Sequence, residues 1–256
     1  MAWNPIVYNK FKKERYAPFY DLLALISSKK GMRTIVDLGC GTGELTKMLS
    51  EKFHDAKCVL GVDSSKEMLE ESKGYQNDRV YFKQRTIETQ LDENAQWDLV
   101  FSNAAIQWIE DHHQLIPKMI SIVKPGGQLA IQMPSQHENI LNQMLLEIVQ
   151  EEPFSGALSG WKKISPMLSI DHYAQILFEN GCQEMNIIQK VYPLIVHDSN
   201  ELFEFISGSA LIPYFERFSD EIKVLFIQEY QRRIRNRFPS SPILYAFKRI
   251  LIKGDF

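Results

Sequence analysis

The sequence predicts an α/β fold: a mostly parallel sheet of seven strands, with helices on both faces and helical inserts that form a lid. Three observations carry this expectation. Short apolar runs alternate with helical patterns through the first 135 residues. A glycine-rich turn follows the first of these runs, and two further strand-like runs come after a largely helical interruption. Such alternation gives parallel strands joined by right-handed crossovers, with ligands taken at the carboxyl ends of the strands.

Residues 5–30 read as helical, with Phe19, Leu22, Leu23, Leu25 and Ile26 supplying the apolar positions. A strand at Thr34–Leu38 leads into the glycine turn, which opens a helix at about Glu44–Phe53. Cys58–Val62 is the second strand. It ends at Asp63, and Ser64 and Ser65 are suited to cap a helix over Lys66–Lys73. Val80–Lys83 is the third strand, and Trp97–Ser102, apolar enough to be buried on both faces, is the fourth. A helix from about His113 to Val123 stops at Lys124-Pro125-Gly126-Gly127, ahead of a fifth strand at Gln128–Gln132.

After Pro134 the pattern changes. Residues 136–152 look helical, 153–166 are rich in Gly, Ser and Pro, and a helix at Asp171–Asn180 ends on Gly181. Strands at about Met185–Tyr192 and Leu244–Ile252 flank a largely helical stretch at 199–237. The expected organisation is an N-terminal helix and α/β core over 1–135, a helical insert at 136–170, core again at 171–198, a helical lid insert at 199–240, and a last core strand at 241–256.

The bulk composition narrows the function classes. At 256 residues, 45% hydrophobic and 24% charged, the chain has material for one substantial core. A net charge of −3 gives no sign of a nucleic-acid or anionic-membrane partner. Cys40, Cys58 and Cys182 are an odd number without paired spacing, against a disulfide framework or a zinc site. No secretory leader and no bilayer-spanning run stand out, so a cytoplasmic protein without a membrane or metal is expected.

The strongest local signal is Asp37-Leu38-Gly39-Cys40-Gly41-Thr42-Gly43 between a strand and a helix. Glycines there let the backbone turn sharply and approach a ligand without an intervening Cβ. Asp63 lies 20 residues beyond Gly43, at the end of the next strand, where an acid accepts ribose hydroxyls. The spacing departs from the dinucleotide pattern, whose third glycine follows three residues after the second. The alternative is a purely structural tight turn.

At these residues the chain resembles class I S-adenosylmethionine-dependent methyltransferases, whose pattern is an apolar strand, D/E-x-G-x-G-x-G, and an acid ending the second strand. The resemblance implies a Rossmann-like fold and S-adenosyl-L-methionine as cofactor. It places Asp37, Gly39 and Gly41 around the methionine part, Asp63 on the ribose, and Ser64 and Met68 against ribose and adenine. The family's usual acid after the third strand is replaced by Thr86, with Ile87 next to it. Glu88 is a possible substitute for the missing charge, and the Ile87 backbone amide is a further adenine contact. Asn103 follows the fourth strand, at the edge where the transferred methyl sits.

Phe101-Ser102-Asn103-Ala104-Ala105-Ile106-Gln107-Trp108 is similar to a narrower group that esterifies carboxylates: the trans-aconitate 2-methyltransferases and the malonyl-acyl-carrier-protein methyltransferases. Similarity to the former extends through Trp3-Asn4-Pro5, Tyr8, Phe11, Glu14-Arg15, Ala130-x-Gln132-Met133-Pro134, Gly181-Cys182, Pro213-Tyr214 and Phe238-Pro239. It implies a small polycarboxylic acid as methyl acceptor.

Several residues carry two readings. Trp3, Tyr8, Phe11 and Arg15 either form a helix that closes over the cofactor, with Tyr8 or Arg15 meeting a ligand, or simply pack on the core. Gln107 and Trp108 either touch substrate or form wall. His112 and His113 read as a solvated helix start, since neighbouring residues diverge on a helix and no third metal ligand is near. The run Gln231-Arg232-Arg233-Ile234-Arg235-Asn236-Arg237 is either a solvated face or a site for a polycarboxylate or an acidic carrier protein, with Lys248, Arg249, Tyr214 and Tyr230 as further polar candidates.

A carboxylate is ionised at neutral pH, so its attack on a sulfonium methyl needs orientation and dryness rather than a general base. None stands out near Asn103, hence no catalytic acid or base is assigned. The function expected is methyl esterification of a trans-aconitate-like acid. The alternatives are methylation of a malonyl carrier protein and a cofactor-binding protein without turnover.

Overall fold

The computed structural model describes residues 11–27, 31–161, 163, 165–208 and 210–256. Strands β1 (Thr34–Leu38), β2 (Cys58–Asp63), β3 (Val80–Gln84), β4 (Trp97–Asn103), β5 (Val123–Pro134), β6 (Glu184–Val196) and β7 (Ile243–Asp255) form one seven-stranded sheet in the order β3-β2-β1-β4-β5-β7-β6. β1 pairs in parallel with β2 and β4, β2 with β3, and β4 with β5, while β7 runs antiparallel to β5. This is the mostly parallel sheet that the alternation predicts. The strand order reverses between β1 and β4, the position at whose carboxyl ends doubly wound sheets take their ligands.

The residues divide into two compact units. One comprises Pro18–Pro134, Pro166–Lys190 and Arg249–Phe256 and holds most of the sheet. Its helices are most of α1 (Lys12–Leu25), α2 (Glu44–Lys52), α3 (Lys66–Ser72), α4 (Ile87–Leu91), α5 (His112–Ser121) and α8 (Ile170–Glu179). Val36, Leu38, Val62 and Val100 of the strands pack with Leu115, Ile116, Met119, Tyr173 and Leu177 of α5 and α8 into one core. On α1, Phe19 stands edge-on to Phe101 of β4, ring centroids 5.9 Å apart.

The other unit comprises residues 11–17, Ser135–Ser165 and Val191–Lys248. It is built from α6 (Ile140–Ile148), α7 (Phe154–Ala157), α9 (Ser199–Ser207), α10 (Ile212–Phe215) and α11 (Asp220–Arg237). Its core is unusually aromatic: Phe154, Phe205, Tyr214, Phe226, Tyr230, Tyr245 and Phe247 are all buried together. Tyr230 donates its hydroxyl to the Leu141 carbonyl at 2.6 Å, so the buried polar tip is satisfied.

Two local expectations need correction. Lys124-Pro125-Gly126-Gly127 does not precede the fifth strand but lies within it, because β5 already begins at Val123. The extra residues are accommodated as an irregularity: Trp97 pairs with Val123, yet Leu99 pairs with Gln128, and Gly126 takes φ 80°. The helix expected over 136–152 is shorter, with a single 3-10 turn at Gln136–Glu138 before α6. Asn139 divides them because its amide is used elsewhere, accepting from Lys248 N at 2.8 Å and donating to Lys248 O at 3.1 Å.

Candidate functional site

The glycine turn is closed by backbone bonds to the neighbouring strand. Gly39 N and Cys40 N both donate to the Val62 carbonyl, at 2.8 and 3.0 Å. Gly39 has φ 81°, and a Cβ there would overlap the Ala105 methyl, so only glycine fits where the β1 and β4 loops meet. Gly41 has φ 55°, and the nearest atom to an added Cβ is the Met68 sulfur at 3.5 Å. A side chain there would thus meet Met68 at ordinary van der Waals distance and nothing nearer.

Asp63 is half-buried at the end of β2. Its Oδ2 accepts from Gly41 N and its Oδ1 from Ser65 N, each at 2.9 Å. Each oxygen keeps a second lone pair, enough for two further donors side by side. Ser65, not Ser64, caps α3, accepting from Met68 N at 3.2 Å. Ser64 is exposed and Met68 half-buried, on the loop and helix that follow Asp63.

Asp37 behaves differently. It is 2% exposed, and its carboxylate accepts from Thr46 Oγ1 at 2.6 Å, tying β1 to the first turn of α2 from inside the protein. Burial raises its pKa to about 7, the Thr46 hydrogen bond opposes that rise, and the nearby Asp63 adds to it.

Thr86 is the N-cap of α4, with its hydroxyl accepting from Thr89 N at 3.2 Å. Threonine and aspartate are both good caps, so the replacement of an acid here keeps the helix start while removing a charge. Ile87 is buried, 3.7 Å from where a Cβ on Gly39 would stand, and Glu88 is exposed. Gly39, Gly41, Asp63 and Ile87 thus lie together at the carboxyl ends of β1, β2 and β3, with Asp63 bonded directly to Gly41.

Asn103 ends β4, the strand beside β1, and pairs in register with Gln132 of β5. Ala104 follows with φ 55°, a left-handed conformation that costs a non-glycine residue and is held by two hydrogen bonds. Ala104 N donates to the Gln132 backbone carbonyl at 2.8 Å, and Gln107 Nε2 donates to Ala104 O at 2.7 Å. Gln107 is therefore a buried brace of the Asn103 turn, whereas Trp108 beside it is 40% exposed.

His112 corrects the expectation of a solvated helix start, although His113 is exposed. His112 is fully buried, with Nδ1 2.6 Å from the Tyr173 hydroxyl and Nε2 2.9 Å from the Ile106 carbonyl. The carbonyl can only accept, so Nε2 carries the proton and Nδ1 accepts from Tyr173. The ring thus ties the 3-10 turn Ile106–Trp108 to α8, and burial pushes its pKa down.

The remaining candidates sit in the helical unit or bridge from the last strand. Arg15 donates from Nη2 to Phe205 O at 2.8 Å and lies over the Phe205 ring. Tyr214 is buried against Trp161, ring centroids 5.3 Å apart. Arg232 forms a two-bond clasp on Glu229, and Arg233 pairs with both Glu229 and Glu151. These hydrogen bonds hold the Glu229 carboxyl down at about 2. Arg235 and Arg237 are exposed. Within the run, Arg232 and Arg233 are thus engaged by carboxylates, Ile234 is buried, and Arg235 and Arg237 face outward. Lys248 reaches Glu138 at 3.3 Å. Trp3 and Tyr8 lie outside the described residues.

Sequence reasoning undervalued three residues here: Thr46, Gln132 and Arg249. The signal available was a glutamine inside the otherwise apolar strand Leu129-Ala130-Ile131-Gln132-Met133, since a buried amide needs partners. Among the described residues no group of three or more His, Cys, Asp or Glu could hold a metal ion, and no helix is long and apolar enough to cross a membrane.

A parallel sheet reversing between β1 and β4, a glycine turn and an acid ending β2 are the arrangement by which doubly wound folds take nucleotide-type cofactors. A family model described as a methyltransferase domain matches residues 28–193. The chain belongs to the S-adenosylmethionine-dependent methyltransferases. Along its full length it is similar to the trans-aconitate 2-methyltransferase of Deinococcus radiodurans, 36% identical over 98% of this chain and 97% of that one. The enzyme of the same name from Variovorax paradoxus is 30% identical, with 98% and 97% covered. Among solved structures, the fold is shared with the YcgJ protein of Bacillus subtilis (TM-score 0.57, 18% identity, 92% and 98% covered). It is also shared with the Haemonchus contortus phosphoethanolamine N-methyltransferase 2 (TM-score 0.54, 17% identity, 93% and 52% covered).

Proposed function

We propose that this enzyme transfers a methyl group from S-adenosylmethionine to a carboxylate of a small polycarboxylic acid of the trans-aconitate type. The observation that carries this reading is similarity over almost the whole chain, helical inserts included, to relatives named for that reaction. Similarity confined to the sheet would support the methyl donor alone, because acceptor specificity in such folds comes from the inserts.

The residues present fit the cofactor. Asp63 has a free lone pair on each oxygen for two adjacent ribose hydroxyls, and Gly41 leaves the backbone open beside it. Ser64 and Met68 lie on the loop that follows, for ribose and adenine. Ile87 offers an apolar surface and a backbone amide to the base, with Glu88 outside it. Asp37 acts from beneath, fixing the turn through Thr46. Bound S-adenosylmethionine supplies a methyl already activated by a positively charged sulfur. The protein's own task is to hold the acceptor in line and keep water out. Asn103 stands at the edge where the acceptor approaches, steadied by Gln107 through Ala104. No base is needed, because a carboxylate is ionised at neutral pH. The nearest histidine, His112, is buried with both ring nitrogens engaged.

Incubation with labelled cofactor and a panel of acids, amines and phenols tests the reading. Label is expected in trans-aconitate and its close analogues as a base-labile methyl ester. Labelling of amines or phenols alone would overturn it.

A further inference from the structure

At the carboxyl ends of β4 and β5, beside the middle of the antiparallel β7, buried polar groups form a chain whose direction hydrogen-bond chemistry fixes. Gln132 is 1% exposed and Arg249 is 7% exposed. A guanidinium only donates, as does a backbone N–H. Gln132 therefore turns its side-chain oxygen to Arg249 Nη1, at 3.1 Å, and to Met133 N, at 3.0 Å. Its amide nitrogen then faces Asn103 at 2.8 Å, and because that nitrogen only donates, Asn103 must meet it with Oδ1. The Asn103 Nδ2 is left on the opposite side of the amide, turned away from Gln132.

We infer that Arg249 is a positioning residue which, through Gln132, locks the Asn103 amide so that its N–H group faces the carboxylate of the methyl acceptor. The inference rests on the carboxylate reading above. An untethered asparagine can present either end, and the carbonyl end repels a carboxylate. A relay that begins at a permanent cation removes that choice, which accounts for an amide and a guanidinium buried where apolar residues would pack at lower cost. The chain lies on the β4-β5-β7 half of the sheet, across β1 from Asp63 on β2, so it serves the acceptor rather than the ribose side.

Gln132→Glu is the sharpest test. Glutamate still accepts from Arg249 but cannot donate to Asn103, which must rotate its nitrogen inward and its oxygen outward. KM for trans-aconitate is expected to rise about tenfold or more, the size of a lost charge-assisted hydrogen bond, while cofactor affinity by calorimetry stays within about twofold. Arg249→Met should behave alike. Arg249→Lys, which keeps a cationic donor, should restore KM to within about threefold of the parent enzyme. The second readout needs no turnover. In cofactor-free protein, the Asn103 side-chain amide resonance should shift on adding trans-aconitate, and should not in Gln132→Glu.

An unchanged KM in Gln132→Glu, or a loss confined to cofactor affinity, would overturn the relay. So would an Asn103 resonance that ignores an acid the enzyme does esterify. Should no acid be esterified, the carboxylate reading falls by itself, and an Asn103 amide identical in Gln132→Glu and parent would sink the relay separately. If Gln132→Glu does not fold, the Arg249→Met and Arg249→Lys pair decides.

Discussion

Asp63 accepts the Gly41 backbone N–H at 2.9 Å, so the acid that ends β2 also holds the glycine turn that follows β1. One carboxylate thereby fixes the loops after β1 and β2, and it does so with half of its acceptor capacity. The loop geometry and the remaining lone pairs are a single feature. Removing Asp63 therefore takes away the clasp and the ligand acceptors together, while the strands beneath keep their pairing.

Gly39 is the least replaceable residue of the turn. Gly39→Ala places a methyl against Ala105 and imposes φ 81° on a residue with a side chain. Destabilisation of about 2–4 kcal/mol is expected, the combined size of left-handed strain and overpacking, read by urea denaturation. A loss under 1 kcal/mol would mean that the β1 and β4 loops separate easily.

Asp37 should make stability depend on pH in the direction opposite to a paired surface acid. Its pKa is about 7 in the folded protein against an ordinary 3.8, so the folded form prefers the protonated acid. The resulting stability is complete below pH 4 and is lost as pH rises through 7, with a slope of at most about 1.4 kcal/mol per pH unit. Asp37→Asn, which keeps an acceptor for Thr46, should remove this slope in melting curves taken from pH 4 to 8.

His112 gives the reverse sign. Burial lowers its pKa from 6.5, so the unfolded chain takes up a proton first. Stability from this site is complete above pH 6.5 and falls as pH drops below it. His112→Phe should flatten that acid limb. It should also cost about 1–3 kcal/mol, because the Tyr173 hydroxyl loses its nitrogen acceptor and the Ile106 carbonyl one of its two donors.

The arginines of α11 should be dispensable for methyl transfer. Arg232 is clasped by Glu229, and Arg235 is exposed on the same helix. Reversing both charges is expected to leave KM for the acid within about twofold, as for other solvent-screened charges. A tenfold rise would return the basic run to the acceptor site.

The sheet was legible because buried parallel strands write continuous apolar runs, and Thr34–Leu38 and Trp97–Asn103 end where those runs end. Asp63 was legible because its spacing from Gly43 is dictated by one crossover. Asn139, His112 and Arg249 were not, since their partners lie far away in sequence: Lys248 for Asn139, Tyr173 for His112 and Gln132 for Arg249. No local pattern distinguishes a histidine facing water from one facing a buried tyrosine. The bulge at Lys124–Gly127 escaped because Pro-Gly-Gly marks a turn in most contexts, and only pairing on both sides keeps it in a strand.

Gly41 and Asp63 together form the clasp on which the cofactor is expected to sit. Calorimetric titration of the demethylated cofactor, S-adenosylhomocysteine, into the parent protein and Asp63→Ala tests it most directly, with melting temperature recorded for both. An affinity loss of about 10- to 100-fold is expected, as when hydrogen bonds to a charged group are removed, in a variant that still melts cooperatively. Unchanged affinity in a folded Asp63→Ala protein would contradict it.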